Sequence, residues 1–250
     1  MTEALLSHPQ YLDHLAGSAS GFADVVAGGG LEAPVAACPG WTLRDLAWHL
    51  GGVHRWATIA LRENRSGENT HAGPDGARPL ADWLREGSDG LLSTLRATDP
   101  QSPTWNFGPP PRLAGFWFRR QAHETAVHLW DAQAALGAAS ALDAALAADG
   151  VDEVVSMMFP RQVRLDRCPP LASSLALQAT DAAAARWVLA ADGLPGPATA
   201  ADARADATVS GTASDLLLLL WKRIGTDDPG LCLSGDVTAA RALLAQPITP

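Results

Sequence analysis

Through most of the first 140 positions apolar residues recur at helical spacing, whereas beyond them short strand-like runs alternate with helical stretches. The pattern predicts a helix over Pro9–Val26, stopped by Gly28-Gly29-Gly30. Pro39-Gly40-Trp41 forms a turn. Thr42 and Asp45 then have the Thr-x-x-Asp spacing in which each member satisfies a free N–H at a helix start, so a second helix is expected over Leu43–Glu63. The polar loop Asn64–Arg78 separates it from a third helix over Leu80–Ala97. Asp99-Pro100 and the Trp105–Pro111 loop precede a fourth helix, from about Arg112 to Leu136, ended by Gly137. Four helices of this length make a bundle, a scaffold that builds metal sites from facing side chains.

After Gly137 a helical piece over Asp143–Met158 leads into strand-like runs at Ser174–Thr180, Arg186–Ala190, Ala207–Ser210 and Leu231–Ser234, with helices over Ser214–Ile224 and Val237–Ala245. Pro195-Gly196-Pro197 opens a loop. The fold class is therefore α+β: a four-helix bundle over residues 1–140 followed by a smaller α+β domain over residues 141–250.

Composition narrows the classes of function. With 47% hydrophobic residues in 250, the chain can bury ordinary cores. Its 27 acidic residues outnumber 18 scattered basic ones, a net charge of −9 that disfavours binding nucleic acid through its phosphates. Cys38, Cys168 and Cys232 form no paired spacing, which points to a reducing, cytoplasmic location. No leader pattern and no apolar stretch near the ~20 residues that span a bilayer is present, so no membrane association is expected. The sequence does not set the oligomeric state, and a monomer is compatible with it.

The chemistry concentrates in Arg119–Asp131. Glu124 and His128 stand four apart on one helical face, where a carboxylate and an imidazole can reach one divalent cation. A third ligand is available upstream in His49. Periodicity alone reads otherwise: Glu124 and His128 share a side with Arg120, Gln121 and Asp131, opposite Phe118, Ala122, Ala126 and Leu129, as on a solvated face. His49 projects beside Leu46, Val53, Trp56 and Ala60, where a lone histidine is ordinarily a hydrogen-bonded core residue. His123 projects about 100° from Glu124 and cannot share its ion. His54 and His71 have no partner at useful spacing. Trp41, Trp48, Trp56, Trp117 and Trp130 read as core and pocket wall.

Two segments shift the balance. Pro39-Gly40-Trp41-Thr42-x-x-Asp45-Leu46-x-x-His49-Leu50 and Ala122-His123-Glu124-x-x-x-His128-x-x-Asp131 resemble the mycothiol-dependent maleylpyruvate isomerase family, whose bundle is of the DinB-like metal-binding kind. The runs Ala207–Leu216 and Leu231–Asp236 are similar to that family's second domain, which resembles sterol-carrier folds. The resemblance implies that His49, Glu124 and His128 hold a divalent metal, zinc above all, with one coordination position left for chemistry. It implies mycothiol as cosubstrate: the thiol, held as thiolate by the cation, adds to an electrophilic small molecule. Addition to a conjugated double bond permits rotation before the thiol leaves, a cis–trans isomerase, whereas retention of the sulfur makes a thiol transferase.

Around this centre Asp131 can receive the second N–H of His128 or make a salt bridge or link to a neighbouring helix, and Arg120 can bind a carboxylate of substrate or cosubstrate or stand as a solvated surface charge. Asp45 is accounted for by its helix cap, and Arg78 and Arg112 by surface exposure. Two other functions fit the residues: a hydrolase using water on the cation, and a non-enzymatic carrier of apolar ligands in the second domain.

Overall fold

The computed structural model describes residues 5–67, 73–74, 76, 78–182, 185–190 and 205–250; His71 and the Pro195-Gly196-Pro197 turn lie outside them. The chain forms two compact units, Ser7–Ser140 and Ala141–Pro250, the second also taking in Leu5, whose N–H donates to Asp149 at 2.9 Å.

The first unit is a bundle of α1 (His8–Ala27), α2 (Leu43–Glu63), α3 (Leu80–Ala97) and α4 (Gly115–Ala135). Ser7 and Gln10 cap α1 reciprocally, and Gly29 and Gly30, at φ +98° and +71°, turn the chain after it. The expected Thr42–Asp45 cap is formed. The Thr42 N–H donates to Asp45 Oδ2 at 2.8 Å and Thr42 Oγ1 accepts from the Asp45 N–H at 3.3 Å; the Thr42 bonds also hold the Asp45 carboxyl below its usual range. α2 closes at Asn64 in the left-handed conformation, φ 51°.

The fourth helix starts three residues later than the sequence pattern predicts. Arg112 and Leu113 are committed elsewhere: the Arg112 carbonyl accepts from Thr104 N–H at 3.0 Å, and the Leu113 carbonyl accepts from Asn106 Nδ2 at 3.1 Å beside a short antiparallel bridge to Pro103.

Around the bundle the helices neighbour one another in the order α1, α4, α2, α3, so α2 touches both α3 and α4. Its α3 side is apolar and close-packed. Leu43, Leu46, Ala47 and Leu50 join Leu80, Trp83 and Leu84 in one core cluster with Phe22, Val26 and Ala132. At Gly51 a Cβ would lie 2.1 Å from the Trp83 ring, so only glycine admits that indole. The Arg55 guanidinium covers the same ring at 3.9 Å and donates to the Trp83 carbonyl at 2.8 Å.

In the second unit α5 (Ala144–Glu153), capped by Asp143, runs into a π-helical turn, Val154–Met158, and then α6 (Phe159–Arg164). The sequence pattern ends this helix at Met158. Pro160, which has no N–H to continue an α-helical ladder, instead sits in the first turn of α6 behind the widened turn, where Phe159 N–H reaches the Val154 carbonyl. Strands β1 (Leu175–Ala179), β2 (Arg186–Leu189), β3 (Ala207–Gly211) and β4 (Cys232–Gly235) form a sheet of order β2-β1-β3-β4. β1 and β3 are parallel, with Leu177 opposite Val209; the other two pairings are antiparallel. α7 (Ala213–Leu220), capped by Thr212, buries Leu216 to Leu220 on every side, and α8 (Val237–Ala245) also packs on β3. This is the α+β arrangement anticipated from the pattern of runs. No helix among the described residues is long and apolar enough to cross a membrane.

Candidate metal centre

Across the α2–α4 seam the structure gathers the three residues that the resemblance implies. Glu124 and His128 lie one turn apart on α4, and His49 reaches them from α2. Glu124 Oε1 stands 3.5 Å from His49 Nε2 and 3.3 Å from His128 Nε2, and the three donor atoms lie within 4.8 Å of one another. A tetrahedral ion with N and O ligands at about 2.1 Å separates its ligand atoms by about 3.4 Å along each edge. Two edges of the donor triangle therefore have the span that such an ion needs without side-chain rearrangement. The donor set, two imidazoles and one carboxylate, suits zinc, and three protein ligands leave a position free.

Electrostatics without an ion are those of a proton held in its place. Burial alone would lower the His128 pKa, but hydrogen bonds to Asp131 and Glu124 carry it up to about 9. Burial would likewise raise Glu124; bonds from His128 and His49 and the nearby Arg120 charge hold it well below the usual carboxylate range. His128 Nδ1 is 3.0 Å from Asp131 Oδ2, so the carboxylate orients the ring and leaves Nε2 toward Glu124. Arg120 Nη2 donates to Glu124 Oε2 at 3.3 Å. The Trp41 and His128 rings flank the His49 imidazole, with centroids 5.1 and 5.2 Å away.

The solvated face that periodicity assigned to α4 is not there. Arg120, Gln121, His128 and Asp131 are all buried, because α4 turns its polar side into the seam rather than to water. His123 is also buried but faces α1, edge-on to Tyr11 at 6.2 Å, in keeping with its projection away from Glu124. His54, for which spacing offered no partner, is buried with Nε2 2.9 Å from Thr125 Oγ1. Burial pushes its imidazole down to about 4 against the pull of the Glu124 charge, so it is neutral at ordinary pH. No periodicity could have found this pair, whose members are 71 residues apart. Of the tryptophans expected inside, Trp117 is fully buried and Trp41, Trp56 and Trp130 are partly so. Trp48 is exposed, lying on the α2 stripe of Arg44, Arg55 and Arg62 with Gly73 against its indole.

Known proteins resemble the chain over most of its length. Residues 12–133 match the family model described as the mycothiol maleylpyruvate isomerase N-terminal domain, and residues 145–242 match the MDMPI C-terminal domain. Two solved structures, a crystal structure of the mycothiol-dependent maleylpyruvate isomerase and one of its histidine-to-alanine mutant, superpose with a TM-score of 0.62 at 14% identity. The alignment covers 93% of this chain and 95% of theirs; at that identity the likeness is one of fold. Comparison with curated proteins gives no match. With both domain models matched in order over most of its length, the chain belongs to the mycothiol-dependent maleylpyruvate isomerase family of enzymes.

Proposed function

We propose that this protein is a cytoplasmic, mycothiol-dependent metalloenzyme acting on an electrophilic small molecule, as a cis–trans isomerase of the maleylpyruvate type or as a thiol S-transferase. The observation that carries the proposal is the His49–Glu124–His128 triangle, in which Glu124 Oε1 lies at the edge length of a tetrahedral ion from both imidazole nitrogens, in a chain of this family. Zinc held by these residues would supply a Lewis acid able to keep a thiol ionised near neutral pH.

The chain's own residues prepare for that chemistry. Asp131 accepts the Nδ1 proton of His128, which fixes the tautomer and presents the Nε2 lone pair. Glu124 offers Oε1 between the two imidazoles. Burial keeps His54 uncharged, so its imidazole adds no positive charge beside the donors, and its bond to Thr125 ties α2 to α4. The indole of Trp41 walls one side of His49 and limits water there.

The test is metal analysis and turnover of the purified protein beside its His49→Ala and Glu124→Ala variants, using mycothiol and a cis-unsaturated keto acid. Zinc in the parent, its loss in both variants, and turnover that requires the thiol are expected. Equal metal content in all three proteins would remove the site. Turnover of an ester or amide without added thiol would assign a hydrolase instead.

A further inference from the structure

The two oxygens of Glu124 are engaged by different partners. Oε1 faces both imidazole nitrogens, at 3.5 and 3.3 Å, while Oε2 accepts from Arg120 Nη2 at 3.3 Å. Arg120 is 3% exposed, so its guanidinium holds this bond largely out of water, where a charge-assisted bond to a carboxylate is strong and directional. The arrangement matters because a carboxylate can give a cation one oxygen or two. A second oxygen from Glu124 would fill the position that a thiol needs.

We propose that Arg120 is a positioning residue: by holding Oε2 it keeps Glu124 a one-oxygen ligand and so preserves the vacant coordination position for sulfur. This rests on the metal reading above and gives Arg120 a different task from the substrate contact that its place in the sequence suggests. The guanidinium sits one turn before Glu124 on the same helix, so α4 itself sets the geometry and no loop has to close. Arg120 donates to the carboxylate and would act on the cation only through it.

Cobalt(II) loaded in place of zinc tests this directly, since the intensity of its visible bands falls when four-coordination becomes five-coordination. Parent, Arg120→Met, Arg120→Lys and Glu124→Gln proteins are compared for cobalt stoichiometry, visible spectrum and titration with 2-mercaptoethanol, read as the sulfur-to-cobalt charge-transfer band. In Arg120→Met the bands should weaken and the apparent thiol affinity should fall about tenfold or more, a disturbance of the size seen when groups behind a metal ligand are removed. Arg120→Lys, which keeps a donor and a charge, should retain the parent spectrum in part and controls for loss of folding.

An unchanged spectrum and thiol titration in Arg120→Met, with cobalt lost from Glu124→Gln, would sink the positioning role and leave the metal site standing. Full cobalt retention in Glu124→Gln would overturn the metal reading and this inference with it.

Discussion

One helix, α2, shows two kinds of contact on its two sides. Toward α3 it packs Leu43, Leu46 and Leu50 against Leu80 and Leu84 and opens at Gly51 to admit Trp83. Toward α4 it sets His49 and His54 against Glu124, His128 and Thr125, a partly buried seam of paired polar groups. The apolar side gains stability from area and close fit, which need no ligand. The polar side carries desolvation costs that paired groups only partly offset, and it is arranged around the space between three donors. Stability and chemistry are thus divided between the two sides of a single helix, and substitutions should separate them.

The largest separation is expected at the donors. His49→Ala should weaken zinc binding by more than the ~100-fold that marks loss of a supporting group, measured by competition with a chromophoric chelator. The thermal midpoint of the metal-free protein should move little, since the His49 side chain is already 31% exposed. A metal-free midpoint that collapses would show that both sides of α2 are structural.

Gly51→Ala is the converse. A methyl 2.1 Å from the Trp83 ring must displace it or the helix, at about 1–3 kcal/mol, seen as a lower denaturant midpoint while zinc stoichiometry is retained.

The dependence of stability on pH sharpens the comparison further. In metal-free protein the His128 pKa is raised from 6.5 to about 9, so its contribution is fully present below pH 6.5 and is lost as pH rises through 9. Glu124 is depressed below 4.5 and His54 to about 4 from 6.5. Their contributions are present above those ordinary values and are lost as pH falls. Thermal midpoints of chelator-treated protein should therefore pass through a maximum near neutrality. His128→Ala should remove the alkaline decline, and a decline that persists unchanged would assign it to another group. The smallest effect belongs to the start of the helix: Thr42→Ala should cost about 1 kcal/mol in denaturant unfolding without altering zinc binding.

Where local chemistry decides, the chain was readable. α2 and α3 begin and end where the Thr42–Asp45 cap and the flanking Asn64 and Pro79 put them, because those signals act within a few residues. Misreadings arose where distant partners intervened. Arg112 and Leu113 are drawn out of α4 by Thr104 and Asn106, and the helix expected to end at Met158 continues through a π turn into α6. The polar side of α4 resembled a wet surface since hydrophobic periodicity cannot tell water from a buried polar partner. For the same reason the spacing of Glu124 and His128 did not by itself distinguish a ligand pair from surface residues. Pairing them with His49, on another helix, came from the resemblance, and the Arg120–Glu124 contact became visible only with side chains in place.

The indole seated over Gly51 has a mechanical consequence for the donors. Sliding α2 along its axis by one turn, about 5.4 Å, would drive a side-chain-bearing residue into the Trp83 ring, so the notch acts as a register pin two residues from His49. The imidazole is held at the height of Glu124 by an interlock on the opposite side of its own helix.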